Sequence, residues 1–447
     1  MRRRRSAVSI RERKKPMPKV KIIGAGLAGS EAAYQLISKG IEVELYEMRP
    51  KKSTPAHKTA NFSELVCSNS LRSNALTNGV GLLKEEMRRF GSLIMDAAEK
   101  YQIPAGSALA VDREGFSSYI TEVIKSSPFV TVIEEEVDHI PEGPTIIASG
   151  PLSSEKMCEA LQDYFHKDFF HFFDAIAPIV YKDSIDFSKA YYKSRYGVGE
   201  DDYINCPMTR DEFFSFYQEL INSKMIDLHE FEQVFFEGCM PIEEMARRGM
   251  KTMLFGPLKP VGLSDDTHHP YAVVQLRQDN ARDSLYNIVG FQTHLTYGEQ
   301  KRVFSMIPGL EHAEFARYGE MHRNTYINSP SLLKATYQDK TRDDLFFAGQ
   351  LTGVEGYIES AASGMLAGIN MALYLKGETP LILPDTCMIG AMANYITHAS
   401  KDSFAPMNAN FGIMRLLKDC PKNMRKEFLS KQALEVIQPY IDLWKNI

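Results

Sequence analysis

The first folded part of the chain alternates apolar runs with a glycine turn in a pattern that predicts strand, turn and helix. Residues 19–23 (KVKII) form a β-branched run, and the turn GAGLAG follows at residues 24–29. The next segment, SEAAYQLISKG, has helical periodicity and ends at Gly40. Residues 41–46 (IEVELY) then alternate apolar and polar side chains, which predicts a second strand. This order predicts a βαβ unit of a parallel sheet.

The glycines of this turn have the GxGxxG spacing of dinucleotide-binding folds. In such folds the first glycine permits the tight turn, the second lets the backbone approach the pyrophosphate, and the third lets the helix pack on the strand. The helix N-terminus then offers its free N–H groups to the phosphates. Glu47 follows the second strand, where a carboxylate accepts hydrogen bonds from the adenosine ribose. The predicted cofactor-binding residues are Gly24, Ala25, Gly26, Leu27, Ala28, Gly29 and Glu47. The motif alone does not distinguish FAD from NAD(P).

Two further segments favour FAD. Residues 344–350 (DLFFAGQ) predict a buried strand, and a glycine-rich turn and a long helix with small residues on one face follow it. Residues 145–150 (TIIASG) resemble the strand that returns to the FAD domain in flavoproteins with two dinucleotide folds. We therefore expect Gln350, Tyr357 and Glu359 to lie close to a flavin. The alternative is that the GxxxG spacing in the helix only tightens helix packing.

The composition is that of an ordinary globular protein. The chain has 447 residues, of which 44% are apolar and 24% charged, and this length predicts two or three domains. It has neither a run of about 18 apolar residues nor an apolar signal segment near its start, so we expect a cytoplasmic protein with no membrane contact. The six cysteines form no CxxC pair, so we predict neither a metal site nor a dithiol redox motif.

Charge is distributed unevenly along the chain. Residues 1–16 carry +7 of a total of −5, which leaves −12 on residues 17–447. The basic segment can be a disordered RNA-seeking arm, a transit peptide, or an extension upstream of a natural start at Met17. We favour the extension, because the pattern of a folded domain begins directly after Met17.

Several longer motifs resemble one family. They are FSELVCSNSLRSNAL (62–76), EGCMPIEEMARRG (237–249), MLFGPLKPVGL (253–263), AVVQLRQDN (272–280), the stretch from LYNIVGFQTHL to FARYG (285–319), MHRNTYINSP (321–330) and FAPMNANFG (404–412). From about residue 17 to its end, the chain resembles the folate- and FAD-dependent RNA uracil-5 methyltransferases, whose best-known members act on the T-loop of tRNA. The resemblance implies that 5,10-methylenetetrahydrofolate donates the carbon, reduced FAD supplies electrons, and NAD(P)H reduces the flavin again.

The resemblance also implies two catalytic cysteines. C5 of uracil is a poor nucleophile until a thiolate adds at C6, so the enzyme needs one nucleophile and one base. Cys239, in EGCMP, matches the family cysteine that attacks C6, and Cys67, in ELVCSNS, matches the one that removes the C5 proton. Without the resemblance, a buried structural thiol is the more common role of such a cysteine. Asn69, Arg72 and Asn74 are candidates for flavin or substrate contacts, or for a hydrogen-bonded loop.

Other polar residues are candidates for substrate binding. Arg277 projects to the same face of a predicted strand as Gln275 and can hold the folate glutamate carboxylate or an RNA phosphate. His294 can stack on the pterin or flavin, or serve as a core histidine. Arg247 and Arg248 can contact RNA phosphates next to Cys239, although charge clusters are more often solvated faces. Glu359 is the preferred partner for the pterin nitrogens.

The predicted fold is α/β, with a discontinuous, doubly wound, Rossmann-like FAD domain and an α+β insertion. The predicted limits are 17–160 and 331–447 for the FAD domain, 161–330 for the insertion and 1–16 for a disordered extension. The aromatic-rich start of the insertion is predicted to be core. The sequence does not predict an oligomeric state.

Four alternative functions remain open. The same chemistry can act on ribosomal RNA. A related flavoprotein family modifies the wobble uridine of tRNA with a partner GTPase, but its members are longer and carry an extra helical domain. A simple NAD(P)H-flavin oxidoreductase or a non-enzymatic RNA-binding flavoprotein would need neither catalytic cysteine.

Overall fold

A computed structural model describes residues 17–54, 56–166, 170–175, 177–195, 200–226, 240–264, 267–402 and 404–447, with only the backbone for 170–175 and 321–323. Its strands are β1 (Val20–Ile23), β2 (Val43–Tyr46), β3 (Ser70–Ser73), β4 (Gln102–Ile103), β5 (Ala108–Val111), β6 (Val130–Ile133), β7 (Thr145–Ile147), β8 (Phe170–Ala175), β9 (Ile179–Tyr181), β10 (Tyr191–Tyr192), β11 (Tyr203–Met208), β12 (Ala272–Gln278), β13 (Leu285–Ile288), β14 (Phe315–Arg317), β15 (Met321–Tyr326) and β16 (Leu345–Phe347).

The helices alternate with these strands in the first part of the chain and follow them in the last part. They are α1 (Leu27–Ile37), α2 (Gly79–Phe90), α3 (Leu93–Lys100), α4 (Arg113–Lys125), α5 (Glu155–Phe165), α6 (Arg210–Ile221), α7 (Ile242–Arg247), α8 (Met250–Phe255), α9 (Tyr297–Phe304), α10 (Ser329–Leu332), α11 (Tyr357–Leu375), α12 (Met388–His398), α13 (Arg425–Val436) and α14 (Gln438–Asn446). Within the described ranges, no helix is long and apolar enough to span a bilayer.

A five-stranded parallel sheet forms the first layer, in the order β16-β7-β1-β2-β6. Its central strand β1 pairs with β2 on one side, with Val20 opposite Val43, and with β7 on the other, with Ile22 opposite Ile146. Strands β1, β2, β7 and β16 are those predicted from the sequence, so the predicted α/β class is confirmed. Because all five strands are parallel, their carboxyl ends meet at one edge of the sheet.

Helices α1 and α11 pack against each other unusually closely. A Cβ atom added to Gly364 would lie 2.1 Å from the carbonyl oxygen of Ala28, and one added to Gly368 would lie 2.7 Å from that of Ala32. The GxxxG spacing of α11 therefore does tighten helix packing, as the alternative interpretation proposed. The same contact also joins the two glycine turns, since α1 and α11 begin directly after them.

A six-stranded sheet forms the centre of the second layer, in the order β10-β11-β12-β13-β9-β14. Its hydrogen-bonded neighbours are antiparallel. Its apolar residues join a core drawn from residues 180–313, whereas the main core is drawn from residues 20–148 and 326–444. Strands β8 and β15 pair where the chain enters and leaves the second part. The domain limits of the chain remain a prediction.

Two buried carboxylates accept hydrogen bonds from groups at the N-termini of helices. Glu31 accepts hydrogen bonds from the backbone N–H of Ile94, 2.9 Å away, and from the Ser92 hydroxyl at the start of α3. Glu86 accepts the N–H groups of Met388 and Ile389, at 2.7 and 2.8 Å, at the start of α12. Burial raises the pKa of Glu86 to about 7, because the two backbone N–H donors do not compensate for its removal from water.

Candidate functional site

A cleft opens at the carboxyl end of β1, between the first glycine turn and the second. It contains about 1030 Å³ of empty space, part of it open to solvent. Of the predicted cofactor-binding residues, it is lined by Gly24, Gly26, Leu27, Ala28, Glu47, Gln350 and Tyr357. Thr54, His57, Ser149, Gly150 and Ser153 also line it and were not predicted. The cleft therefore has the position at which parallel α/β sheets bind dinucleotides.

Three glycines of the first turn differ in what requires them. Gly24 has a φ of +98°, and a Cβ there would lie 2.6 Å from the Ala148 carbonyl oxygen. A Cβ at Gly29 would lie 1.8 Å from the Gly24 carbonyl oxygen. A Cβ at Gly26, which lines the cleft, would meet no heavy atom within 4 Å. Packing within the protein thus requires glycine at positions 24 and 29. At position 26 only a ligand in the cleft would clash with a side chain. This arrangement fits a pyrophosphate.

Glu47 lies at the end of β2 and is already hydrogen-bonded within the protein. Its carboxylate accepts the Ala25 N–H at 3.0 Å and the N–H and guanidinium of Arg49 at 3.0–3.2 Å. Burial raises the pKa of Glu47, but the hydrogen bonds and charge of Arg49 outweigh that effect and lower it below its ordinary value. Glu47 is therefore a fixed anion at the rim of the cleft, and its contact with a ribose remains a prediction. No sequence motif had indicated Arg49.

The second glycine turn supplies the opposite wall. Gln350 and Tyr357 line the cleft, whereas Glu359 is fully buried behind it. The Oε1 atom of Glu359 accepts hydrogen bonds from Arg72 and, at 2.8 Å, from the Ala409 N–H. Its Oε2 atom is buried without a hydrogen-bond partner. The contact between Glu359 and the pterin remains a prediction.

Cys67 lies beside this wall, on the segment that leads into β3. The Tyr357 phenol oxygen accepts the backbone N–H groups of Cys67, at 2.7 Å, and Ser68, at 3.3 Å. Burial, and then the nearby Cys67, raise the pKa of Tyr357 well above its ordinary value, so the phenol stays protonated. Because Tyr357 lines the cleft and holds the backbone of Cys67, the predicted base is placed at the cleft wall.

Arg113, at the start of α4, also holds this segment. Its Nη2 atom donates to the Cys67 carbonyl oxygen at 3.3 Å, and Nη1 donates to the Leu65 carbonyl oxygen. Its Nε and Nη2 atoms donate to the two carboxylate oxygens of Asp279, each at 3.0 Å. Sequence reasoning missed Arg113 and Asp279, because their contact depends on how the two layers face each other.

Arg277 is brought to the same segment, and its role in binding a substrate remains a prediction. Its Nη2 atom donates to the Ser68 hydroxyl at 2.7 Å, and its Nε donates to the Asn69 side chain at 3.3 Å. Gln275 instead donates to Asn205 at 3.0 Å, within the six-stranded sheet. Arg277 thus holds the side chains of Ser68 and Asn69, next to Cys67, with the same donors that would bind a carboxylate or phosphate.

The remaining predicted residues lie elsewhere or outside the described residues. His294 is 2% exposed and pairs with Glu243, whose carboxylate also accepts the His294 N–H at 2.8 Å. This is the environment of a core histidine. Arg247 and Arg248 are exposed at the end of α7, and Arg247 pairs with Glu244. Cys239 and the other residues of 227–239 lie outside the described residues. The substrate-binding roles of His294, Arg247 and Arg248 remain predictions.

Comparisons with known proteins agree with the resemblance seen in the sequence. A family model described as glucose inhibited division protein A matches residues 19–379. A protein of Bacillus cytotoxicus, named methylenetetrahydrofolate--tRNA-(uracil-5-)-methyltransferase TrmFO, is 60% identical over 95% of this chain and 99% of its own length. A protein of the same name from Enterococcus faecalis is 61% identical over 94% of this chain and 97% of its own length.

The solved structures support the fold. Aquifex aeolicus GidA, in its form II crystal, superposes with a TM-score of 0.70 over 95% of this chain and 73% of its own, at 18% identity. That identity supports the fold alone. The identity of about 60% with full-length relatives supports more: the chain belongs to the glucose inhibited division protein A family and, within it, to the group of the methylenetetrahydrofolate--tRNA-(uracil-5-)-methyltransferases.

Proposed function

We propose that the protein methylates C5 of a uridine in tRNA, with 5,10-methylenetetrahydrofolate as the carbon donor and FAD as the bound redox cofactor. The observation that carries this proposal is the 60% identity with the Bacillus cytotoxicus protein over nearly the whole of both chains. The T-loop as target, NAD(P)H as the reductant of the flavin and a cytoplasmic location are further parts of the proposal, taken from the sequence resemblance.

The residues that would hold FAD are those of the cleft. The Gly24–Gly29 turn would receive the pyrophosphate at the N-terminus of α1, since Gly26 leaves room for it. Glu47 would face the ribose, and Gln350 and Tyr357 would lie against the flavin end. Bound reduced FAD supplies the two electrons that convert a transferred methylene group into a methyl group.

The chain's own contribution is to activate the uracil. In the proposed mechanism the Cys239 thiolate adds to C6, which moves electron density to C5, and C5 bonds to the methylene carbon as one of that carbon's two bonds to folate nitrogen breaks. Cys67 then removes the C5 proton as the second carbon–nitrogen bond breaks, which releases tetrahydrofolate and leaves an exocyclic methylene group on C5. The two electrons, added with a proton as a hydride equivalent, convert this group into the methyl group, and the C6–sulfur bond breaks to restore the ring. The hydrogen bonds from Cys67 and Ser68 to Tyr357 and from Arg113 to Cys67 support this proposal, because they hold the backbone of Cys67 next to a residue that lines the cleft.

A direct assay tests the function. The purified protein is incubated with methylenetetrahydrofolate, NADPH and an unmodified tRNA transcript, and 5-methyluridine is measured by nucleoside mass spectrometry. If 5-methyluridine forms in ribosomal RNA but not in tRNA, the substrate is ribosomal RNA and the proposed reaction is unchanged. Absence of product from both RNAs would refute the methyltransferase proposal and leave the oxidoreductase and RNA-binding alternatives. Accumulation of a wobble-uridine product would instead favour the related flavoprotein family.

A further inference from the structure

Arg317 is a half-buried arginine with unpaired donors. It ends β14, directly after an irregularity in the pairing of that strand with β9. Its Nε and Nη2 atoms are both buried and have no hydrogen-bond partner. A buried donor without a partner destabilises the folded state, so such a group in a native protein needs an explanation.

The surroundings of Arg317 connect it to the candidate site. The guanidinium is close enough to Arg113, Glu320, Tyr357 and Cys67 to be affected by their charges. Burial lowers its pKa, and the positive charge of Arg113 lowers it further. A positive charge without a hydrogen-bonded anion therefore lies near the wall that holds Cys67.

Two residues that flank Arg317 in the sequence carry aromatic rings that stack on each other. Phe315 and Tyr318 stack with their centroids 4.9 Å apart and their planes 14° apart. Tyr297 continues the stack 5.0 Å from Tyr318 and is 49% exposed. The residues that flank Arg317 in the sequence therefore carry stacked aromatic rings, and the stack reaches solvent at Tyr297.

The other two arginines near Cys67 are already used by the protein. Arg113 donates to Asp279 and to the carbonyl oxygens of Leu65 and Cys67. Arg277 uses its Nε and Nη2 atoms for Asn69 and Ser68. The sequence suggested Arg277 as the residue that binds an anion, but Arg317 is the better candidate because its Nε and Nη2 donors have no partner within the protein.

We propose that Arg317 binds a glutamate carboxylate of the folate substrate through its Nε–Nη2 edge. This inference rests on the proposed function. Two parallel N–H groups match the two oxygens of a carboxylate, and a p-aminobenzoyl ring precedes that carboxylate in folates and suits the stacked aromatic rings that flank Arg317 in the sequence. A small carboxylate on a flexible chain suits a buried edge better than a phosphate within a folded RNA. A shift of the arginine side chain would open that edge.

The test compares two ligands that differ only in the glutamate. The affinities of the FAD-loaded protein for tetrahydrofolate and for tetrahydropteroate, which lacks the glutamate, are measured by anaerobic calorimetry. We expect the wild-type protein to prefer tetrahydrofolate by roughly tenfold to a hundredfold, the range for a charge-assisted pair. Arg317→Met should bring this ratio close to one, and Arg317→Lys should leave an intermediate ratio. Arg415→Met, at an exposed arginine paired with Asp385, is the matched control.

Each result has a separate meaning. Equal affinity of the wild-type protein for the two ligands overturns the inference whether or not any variant folds. An Arg317→Met variant that still prefers tetrahydrofolate over tetrahydropteroate as strongly as the wild-type protein also overturns the inference. If that variant in addition binds tRNA more weakly in a gel shift, Arg317 is assigned to an RNA phosphate instead. Failure of the wild-type protein to bind either ligand would instead contradict the proposed function.

Discussion

Arg113 and Asp279 form a two-pronged ion pair across the two layers of the molecule, with both N–O distances at 3.0 Å. Arg113 begins a helix of the main core, and Asp279 follows β12 of the second sheet. Because the same guanidinium donates to the Cys67 carbonyl oxygen, the pair ties the position of the predicted base to the contact between the layers.

Breaking this pair should impair both stability and activity. Arg113→Met leaves the carboxylate of Asp279 buried without its partner, and we expect a loss of about 3–5 kcal/mol in the free energy of unfolding. Arg113→Met combined with Asp279→Leu should recover much of that stability, but not 5-methyluridine formation, because Cys67 has lost its anchor. Urea unfolding and initial rates of the wild-type protein and of the two variants measure this. Recovery of full activity in the double variant would contradict the positioning role.

The two glycines that are needed for different reasons should separate cofactor binding from folding. Gly26→Ala should fold with a nearly unchanged melting temperature but retain much less FAD, since its methyl group would enter only the cleft. Gly29→Ala should lower the melting temperature strongly, because its Cβ would overlap the Gly24 carbonyl oxygen. Flavin absorbance per mole of protein and thermal melting distinguish the two. Gly298→Ala, in open space at the start of α9, is the neutral control.

The two proposed catalytic thiols should differ in covalent chemistry. Cys239→Ala should abolish the adduct with RNA that contains 5-fluorouridine, because the bond at C6 cannot form. Cys67→Ala should keep the adduct but fail to release 5-methyluridine from normal RNA. Denaturing gels and nucleoside mass spectrometry report the two steps, with Cys420→Ala as the control. The opposite adduct pattern would exchange the two roles.

Glu86 should make the protein less stable as the pH rises. Its pKa is about 7 in the folded state, against about 4.3 in an unfolded chain, so its contribution is fully present below pH 4 and is lost as the pH passes 7. Glu86→Gln cannot ionise and should therefore lose less stability than the wild-type protein between pH 5 and 8, by at most a few kcal/mol. Urea unfolding across this range measures the difference. An unchanged pH slope in Glu86→Gln, equal to that of the exposed control Glu427→Gln, would contradict the assignment.

Lys84 should have the opposite effect. It is fully buried and donates to the carbonyl oxygens of Arg72 and Ser73, and burial, followed by the charges of Arg72 and Arg88, lowers its pKa to about 7. Between pH 7 and about 10.4 the unfolded chain binds more protons than the folded one, so stability should rise with pH. Lys84→Met should remove this rise and destabilise β3, since two carbonyl oxygens lose their donor. The exposed Lys431→Met should keep the wild-type slope in the same unfolding series.

The spacing of nearby glycines in the sequence predicted the cofactor cleft, whereas no sequence pattern predicted the side-chain contacts between the two layers. Gly24, Gly26 and Gly29 lie within one turn, so their spacing alone predicted the turn, and β1, α1 and β2 followed. By contrast, the link from Arg277 to Asn69 joins residues 208 positions apart and depends on the facing of two sheets. Arg317 carries no motif, and only its buried, unpaired nitrogens draw attention to it. Long recognisable motifs found Cys67, but not Arg113, which holds it.

The close packing of α1 on α11 has a consequence for how the protein is made. The backbone of Ala28 and Ala32 packs against Gly364 and Gly368, and about three quarters of the chain separates these contacting positions. Domains generally fold as units during synthesis, starting from the N-terminus. Here the first strand and helix leave the ribosome long before their packing partner, with a face of small apolar residues uncovered. The main core can therefore close only after the second layer has been translated.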